Sequence, residues 1–305
     1  MLKKNKIIVL VIGLGSIGLR HVNILNKIKK IQTILVYSSR KKKNYGKVVF
    51  IKNLKSAKCA DYIIISSKTS DHYKYLKFSE NYFKNKTILV EKPLFEKSKV
   101  IKIKNNKVFV GYNLRFHPIL NFIKKIIKNR KIFSVYSSCL SYLPEWRKNI
   151  HHKLSYSSIK KNGGGVLLDL SHELDYLQWI FGNISQINFS NIDKISNITK
   201  DSEDYANLIG KINNINFILN LNYFSRNAKR EIIIDGKDFS LTADLIKNKV
   251  ILASDNKRKN INFKVRSDYT YEQQHLSIIR NNHRNLCNWA EAKKYIDLID
   301  KIKKQ

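Results

Sequence analysis

Along the first 117 residues, short apolar runs recur between stretches with helical spacing. They fall at 7–12, 33–37, 48–51, 62–66, 87–90 and 108–111. None alternates apolar with polar positions, as expected of strands in a parallel sheet covered on both faces. Between the first two runs, Ile17, Ile24, Leu25 and Ile28 share one helical stripe. Six such strands joined by crossovers predict an α/β unit with a doubly wound parallel sheet. The later crossovers are short, which predicts a trimmed version.

From about residue 118 the pattern changes. Helical spacing at 118–129 leads to a long β run at 132–142, an irregular stretch, and a second helix over 166–181. Further β-type runs lie near 184–192, 204–212, 215–223, 230–235, 239–243 and 248–252, separated by Asn, Asp, Gly and Lys. This predicts an α+β domain with an open, mostly antiparallel sheet and helices on one face. Two last helical patterns lie at 270–284 and 287–303. The expected domains are 1–117 and 118–305, with no internal repeat and no long linker.

Composition changes this picture little. An apolar fraction of 43% suits an ordinary globular chain, and 305 residues allow two cores. A formal charge of +35, from 58 Lys and Arg against 23 Asp and Glu, first suggests a polyanion partner. The basic residues are spread along the whole chain, however, and the densest block, 40–43, holds only four. Lys, Asn and Ile are abundant together, as a usage bias at tolerant surface positions produces, so no specific nucleic-acid partner is expected. Cys59, Cys139 and Cys287 lie far apart and match no metal spacing, which fits a reducing compartment and no bound metal. The start imitates a leader, but its apolar run is short, enters a glycine motif and has no small-residue cleavage site. No run is long enough to cross a bilayer. A cytoplasmic protein is expected.

"VIGLGSIG" places Gly13, Gly15 and Gly18 in G-x-G-x-x-G spacing after a strand and at a helix start, with Ser16 and Ile17 between them. Such a turn lets backbone N–H groups and a helix N-terminus meet a pyrophosphate, so a dinucleotide is the expected ligand. An NAD site usually carries an acidic residue at the end of the second strand. Here that strand ends in Ser39 and Arg40, which suit a 2′-phosphate, so NADP is expected rather than NAD.

Lys92 follows the fifth run and therefore stands at the carboxyl edge of the sheet, where this architecture binds ligands. An amine there can take a hydroxyl proton as hydride leaves the same carbon. In the second half, three glycines, Gly163, Gly164 and Gly165, precede a helix on which Asp169, His172 and Asp175 recur every three residues and share a face. An acid–imidazole pair can fix a tautomer and hold a substrate hydroxyl. "HELDY" lacks the second histidine of a zinc helix, since Tyr176 stands there.

These pieces occur together and in order. "GLGSIGLRHVNIL", "SSKTSDHYKYL", "VEKPL", "GYNLRFHP", "LPEWR", "GGGVLLDLSHELDYLQWIFG" and "EDYANLIG" make the chain resemble the Gfo/Idh/MocA oxidoreductases over nearly its whole length. The resemblance implies a Rossmann domain followed by an open-sheet domain for substrate binding and oligomer formation, as a homodimer or tetramer. It implies hydride transfer between a nicotinamide cofactor and a sugar, cyclitol or related polyol. Lys92 matches the family's catalytic lysine, and a cis bond to Pro93 is implied. Thr69, His72 and Glu91 match positions lining the nicotinamide half of the site, and Asn113 and Arg115 match the strand end facing the ring. His172 matches the catalytic histidine and Asp169 the aspartate. Many members place three residues between that pair. Here there are two, so Asp175 shares the candidacy. Lys68 stands where a proline is usual.

The stretch before the glycines supplies candidates for the substrate. Trp146 can stack on a sugar ring, and Arg147 and Tyr156 can bind hydroxyls, a carboxylate or a phosphate. This variant resembles members tied to surface-polysaccharide or acidic-sugar metabolism. Tyr223 and Arg230 are further candidates with no assigned role. The rival readings are an inactive cofactor-binding regulator of the same fold and a nucleic-acid-binding protein.

Overall fold

The computed structural model describes residues 6–40, 43–147 and 150–304; Lys41 and Lys42 of the basic block lie outside them. The chain divides into two compact units, Met1–Phe116 with Ser267–Asp297, and His117–Arg266 with Leu298–Gln305.

In the first unit the apolar runs become β1 (Ile7–Ile12), β2 (Ile31–Tyr37), β3 (Val48–Ile51), β4 (Tyr62–Ile65), β5 (Thr87–Val90) and β6 (Lys107–Val110). Helix α1 (Ser16–Lys27) follows β1, and α2 (Thr69–Tyr82) follows β4. All four residues of β4 are buried, which is why that run has no polar alternate. The other crossovers are trimmed: β3 reaches β4 through one 3₁₀ turn, Leu54–Ala57, and no helix separates β5 from β6.

The second unit opens with α3 (Pro118–Ile126) and β7 (Ile132–Tyr142). The helix expected over 166–181 is broken: α4 (Val166–Asp169) ends before Leu170 and Ser171, and α5 (His172–Phe181) restarts after them. Then come β8 (Ile184–Asp193), β9 (Tyr205–Ile212), β10 (Ile215–Asn222), β11 (Phe224–Gly236), β12 (Ser240–Asp244), β13 (Lys249–Ser254) and β14 (Lys257–Asn262). They form one sheet in the order β14-β13-β12-β11-β7-β10-β9-β8, antiparallel except for β7 with β10. Strand β14 is not predicted by the pattern. It is an edge strand whose Lys257, Arg258 and Lys259 are exposed, and charge on an edge blocks further pairing at the cost of the apolar signal.

The sheet has two unlike faces. Leu208, Leu219, Ile232 and Ala243 are buried, and Ser137 on the same face meets the Tyr176 hydroxyl of α5 at 2.7 Å. On the other face the cross-strand register aligns Phe189, Ile209, Ile218, Tyr136, Ile233, Thr242 and Ile251 in one row over seven strands.

The pattern predicts a second domain running unbroken to residue 305. Instead, residues 267–297 pack in the first unit, as α6 (Tyr269–Ile279), strand β15 (Cys287–Asn288) and most of α7 (Trp289–Ile302). Ile278, Ile279 and Leu286 join Val9, Leu25, Ile64 and Leu89 in one core, so apolar burial draws the segment back. The first sheet therefore reads β15-β6-β5-β4-β1-β2-β3, parallel except for β15. Its winding reverses between β1 and β4, which opens a crevice at the carboxyl ends of those strands. Among the described residues no helix is long and apolar enough to cross a membrane.

Candidate functional site

The crevice begins at the glycine turn. Gly13 takes φ +94°, and a Cβ there would lie 2.7 Å from the backbone of Ser67. A Cβ on Gly18 would lie 2.2 Å from the Gly13 carbonyl, so this glycine lets α1 pack against the strand. Gly15 is different. Nothing lies within 4 Å of the place its Cβ would take, and it is the N-cap of the twelve-residue α1. The turn is tight behind and open in front, where the free N–H groups of Ser16, Ile17 and the rest of the first turn are available to an anion. A pyrophosphate needs that shape, so these residues fit a dinucleotide. At the end of β2, Ser39 and Arg40 are exposed, and Nη1 of Arg40 donates to Leu14 O inside the turn at 3.2 Å.

On the other side of the glycine turn, β5 is followed by Glu91 and Lys92, and the Lys92–Pro93 bond is cis. The ring of His72, on α2, bridges two loops. Its Nδ1 lies 3.0 Å from Pro93 O and 3.3 Å from Leu94 O, and its Nε2 lies 3.2 Å from Ser67 O. Burial pushes this imidazole below its ordinary pKa, against the pull of the carbonyls and of the Glu91 charge. Thr69, buried, is the first residue of the same helix. His72 thus fixes the segment carrying Lys92 from within the domain.

The expected ring-facing pair makes contacts within the first unit. Asn113 Nδ2 donates to Thr270 Oγ1 at 2.7 Å. Arg115 is almost fully buried, donates to Tyr295 OH at 2.8 Å and Leu286 O at 3.3 Å, and pairs with Glu291 at 3.3 Å. Both side chains hold the returning C-terminal segment, which the strand-end position alone could not reveal. Glu91 is buried against His21, which in turn meets His275, two histidines that motif reading passes over. His21 offered one signal, three residues after Gly18 on the buried stripe of α1.

In the second unit Asp169 closes α4 and His172 opens α5, so the two do not share a helical face as their spacing predicts. Asp169 is buried, and its Oδ2 accepts from the Tyr223 hydroxyl at 2.9 Å. Tyr156 also bonds this carboxylate. Tyr156 is 38% exposed overall, but its hydroxyl turns inward. Burial and then the Asp169 charge hold both phenols above the usual tyrosine range. Trp146 stands edge-on to Tyr223, with ring centroids 5.3 Å apart, and the Arg147 guanidinium lies 4.6 Å from the Tyr156 ring centre. The glycines make this possible: Gly165 N donates to Ser157 O, and a Cβ on Gly164 would lie 2.3 Å from Tyr156 O. Asp175 is wholly buried on α5, one turn after His172. Beside it, Glu173 accepts from Arg230 at 2.6 Å, which gives Arg230 a role in anchoring α5 to β11.

Comparison with known proteins finds two models of one family along the chain. Residues 7–109 match the family model described as the oxidoreductase family, NAD-binding Rossmann fold. Residues 124–299 match the model for the C-terminal alpha/beta domain of the same family. Among solved structures, a dehydrogenase (MviM) from Clostridium difficile is 21% identical, with 99% of each chain covered and a TM-score of 0.79. A levoglucosan dehydrogenase in complex with NADH and L-sorbose is 14% identical, with 97% of this chain and 95% of that one covered and a TM-score of 0.82. A UDP-N-acetylglucosamine 3-dehydrogenase, GnnA, from Acidithiobacillus ferrooxidans is 14% identical over 97% and 96%, with a TM-score of 0.72. These likenesses are of fold. No curated protein matches the sequence.

Proposed function

The chain belongs to the Gfo/Idh/MocA oxidoreductase family, and from that footing we propose that it transfers hydride between NADP(H) and a hydroxyl-bearing carbon of a sugar, cyclitol or sugar derivative. The observation that carries the proposal is the glycine turn, open only at Gly15 and crossed by Arg40. Ser39 and Arg40 beyond β2 would hold the adenosine ribose, the turn at Gly15 would hold the pyrophosphate, and Lys92 stands at the carboxyl edge of the same sheet, where the nicotinamide would be met. The bound cofactor supplies or accepts the hydride. In the first unit Lys92 is the proton carrier for a reacting hydroxyl; in the second, His172 is the candidate to hold a substrate hydroxyl, with Asp169 and Asp175 as its candidate carboxylates. Asp169 also fixes the Tyr156 and Tyr223 hydroxyls.

For the substrate, Trp146 and Tyr156 suit the faces of a sugar ring, and Arg147 suits an acidic substituent. That combination favours an acidic or nucleotide-linked sugar of the kind used in surface polysaccharides. The solved relatives that act on levoglucosan and on a UDP-sugar support the broader class. The exposed row of Phe189, Ile209 and Ile218 on the open sheet suits a second copy of the chain. Cys59, Cys139 and Cys287 form no disulfide among the described residues, which suits a cytoplasmic setting.

The test has two arms. Sugars, nucleotide sugars and inositols are screened for cofactor reduction by nicotinamide absorbance, and turnover is expected with at least one. NADPH is expected to bind more tightly than NADH, with Arg40→Ala narrowing the difference by about 1–3 kcal/mol. Equal affinities, unchanged in the variant, would remove the NADP assignment. Tight cofactor binding with no turnover across the screen would instead favour a regulator.

A further inference from the structure

The first unit buries a row of four hydrogen-bonding side chains drawn from β4, the residue after β5, α1 and α6. Oε1 of Glu91 lies 3.0 Å from Nε2 of His21. Nδ1 of His21 lies 2.9 Å from Nε2 of His275, and Nδ1 of His275 lies 3.0 Å from the Tyr62 hydroxyl. His21, His275 and Tyr62 have no exposed surface, and Glu91 has almost none. Room for the carboxylate comes from Gly111, where a Cβ would fall 2.6 Å from Oε1. Buried polar groups are costly unless satisfied, and here every ring nitrogen has a partner.

Counting protons gives the row a direction. An ionised Glu91 only accepts, so Nε2 of His21 carries a proton. If His21 is neutral, its Nδ1 accepts from His275, which in turn accepts from Tyr62, and every donor points toward Glu91. If His21 is charged, it donates from both nitrogens, and the two outer bonds reverse. In both states His21 donates to Glu91. At the far end, burial and then the Glu91 charge keep the Tyr62 proton in place, and burial and then His21 push His275 well below its usual range. Tyr62 has no surface through which a proton could leave, so the row is a closed support. The charged and titratable groups around it are Tyr271, edge-on to His21 at 5.5 Å, Arg20 over Tyr271 and paired with Asp268, His72, which feels the Glu91 charge, and the adjacent Lys92.

We propose that His21 and His275 are positioning residues that hold Glu91 as a fixed anion at the nicotinamide end of the cofactor groove, where it favours the cationic oxidised cofactor over the neutral reduced one. The proposal rests on the dinucleotide reading above. Opposite charges attract strongly where water is scarce, and a carboxylate that cannot turn away keeps that attraction in place.

Calorimetric titration with NADP+ and with NADPH gives the affinity ratio for each variant. Glu91→Gln should move the ratio about tenfold toward the reduced form. His275→Met should move it the same way by about threefold or more. His275→Gln still accepts from Tyr62 and donates to His21, and should restore most of the loss. On the Glu91→Gln background, His275→Met should move the ratio no further, because both act through one group. An effect on both cofactor forms alike, or one that persists undiminished without the Glu91 charge, overturns the proposal. Should His275→Met not fold, Tyr62→Phe decides, since it removes only a hydroxyl: a smaller shift toward the reduced form supports the row, and an unchanged ratio refutes it. Wild type that binds neither form, and neither NAD+ nor NADH, refutes the cofactor reading itself, and the role given to the row with it.

Discussion

The hydroxyl of Tyr223 donates to Oδ2 of Asp169 across 2.9 Å, with both residues buried in the second unit. Tyr223 follows β10 and Asp169 closes α4, so the bond ties the end of a helix to the end of a strand. Tyr156 reaches the same carboxylate from the loop folded over Gly164 and Gly165. One anion thereby fixes two phenols that carry the candidate sugar contacts.

Removing either end of that bond should be measurable. Tyr223→Phe deletes one donor from a buried carboxylate and is expected to cost about 1–3 kcal/mol in urea unfolding. A loss below about 0.5 kcal/mol, within the range of ordinary surface changes, would mean the bond does not hold Asp169 in place.

The glycines of the first turn should separate in their effects. Gly15→Ala is expected to change stability by less than about 0.5 kcal/mol while sharply weakening cofactor binding, since its Cβ enters open space reserved for the ligand. Gly18→Ala forces a Cβ onto the Gly13 carbonyl and should cost about 1–3 kcal/mol in stability. Thermal unfolding and cofactor titration of both variants would expose the reverse pattern if the turn faces elsewhere.

Lys92→Met keeps the long stem and loses the proton carrier. Turnover on an identified substrate should fall by about 10²–10⁴-fold with NADP(H) affinity nearly intact. His172→Ala should lower turnover and weaken substrate binding together. A Lys92→Met enzyme within a few-fold of wild type would make this lysine one more surface charge.

Stability should also fall in mild acid. His117 caps α3 through Ile119 N, and burial, then the nearby Arg230 charge, push its pKa down to about 4. The unfolded chain, titrating near the ordinary value, binds more protons between these limits. The contribution of His117 is therefore complete above about pH 6.5 and is lost as the pH falls toward 4, by roughly 3 kcal/mol in all. His72 and His275, also lowered, act with the same sign. His117→Asn retains a capping side chain and should flatten the dependence in urea titrations at pH 5 and 7. An unchanged slope would show that other groups set it.

The open sheet offers the remaining test. Ile218→Lys places a charge in the middle of the exposed apolar row and should shift sedimentation from an oligomer to a monomer. An oligomer untouched by that change would have to use another face.

What could be read from the chain alone followed from local rules. Strands covered on both faces are apolar along their length, so β1 begins and ends where its run does; the edge strand β3 and β5 match their runs as well. β7, half-buried and half-polar, also matches its run. Helix α1 and the glycine turn were legible because steric demands there act over a few residues: Gly13 needs a positive φ, and Gly18 must admit a carbonyl. Lys92 was legible because a residue just after a parallel strand always stands at the ligand-binding edge.

Tertiary structure decided everything that depends on partners far away in the chain. Helix periodicity puts Asp169 and His172 on one face, but the chain breaks at Leu170 and Ser171, and Asp169 meets Tyr223, 54 residues later. Arg115 carries the same charge in the sequence whether it faces a cofactor or Glu291, 176 residues on. His275 has no local signal at all, since its partner His21 lies 254 residues away. The return of residues 267–297 to the first unit is of the same kind. Hydrophobic burial is non-directional, so an apolar helix face records that it must be covered without recording by which core. A buried carboxylate, phenol or imidazole likewise requires a partner, and only the folded chain names it.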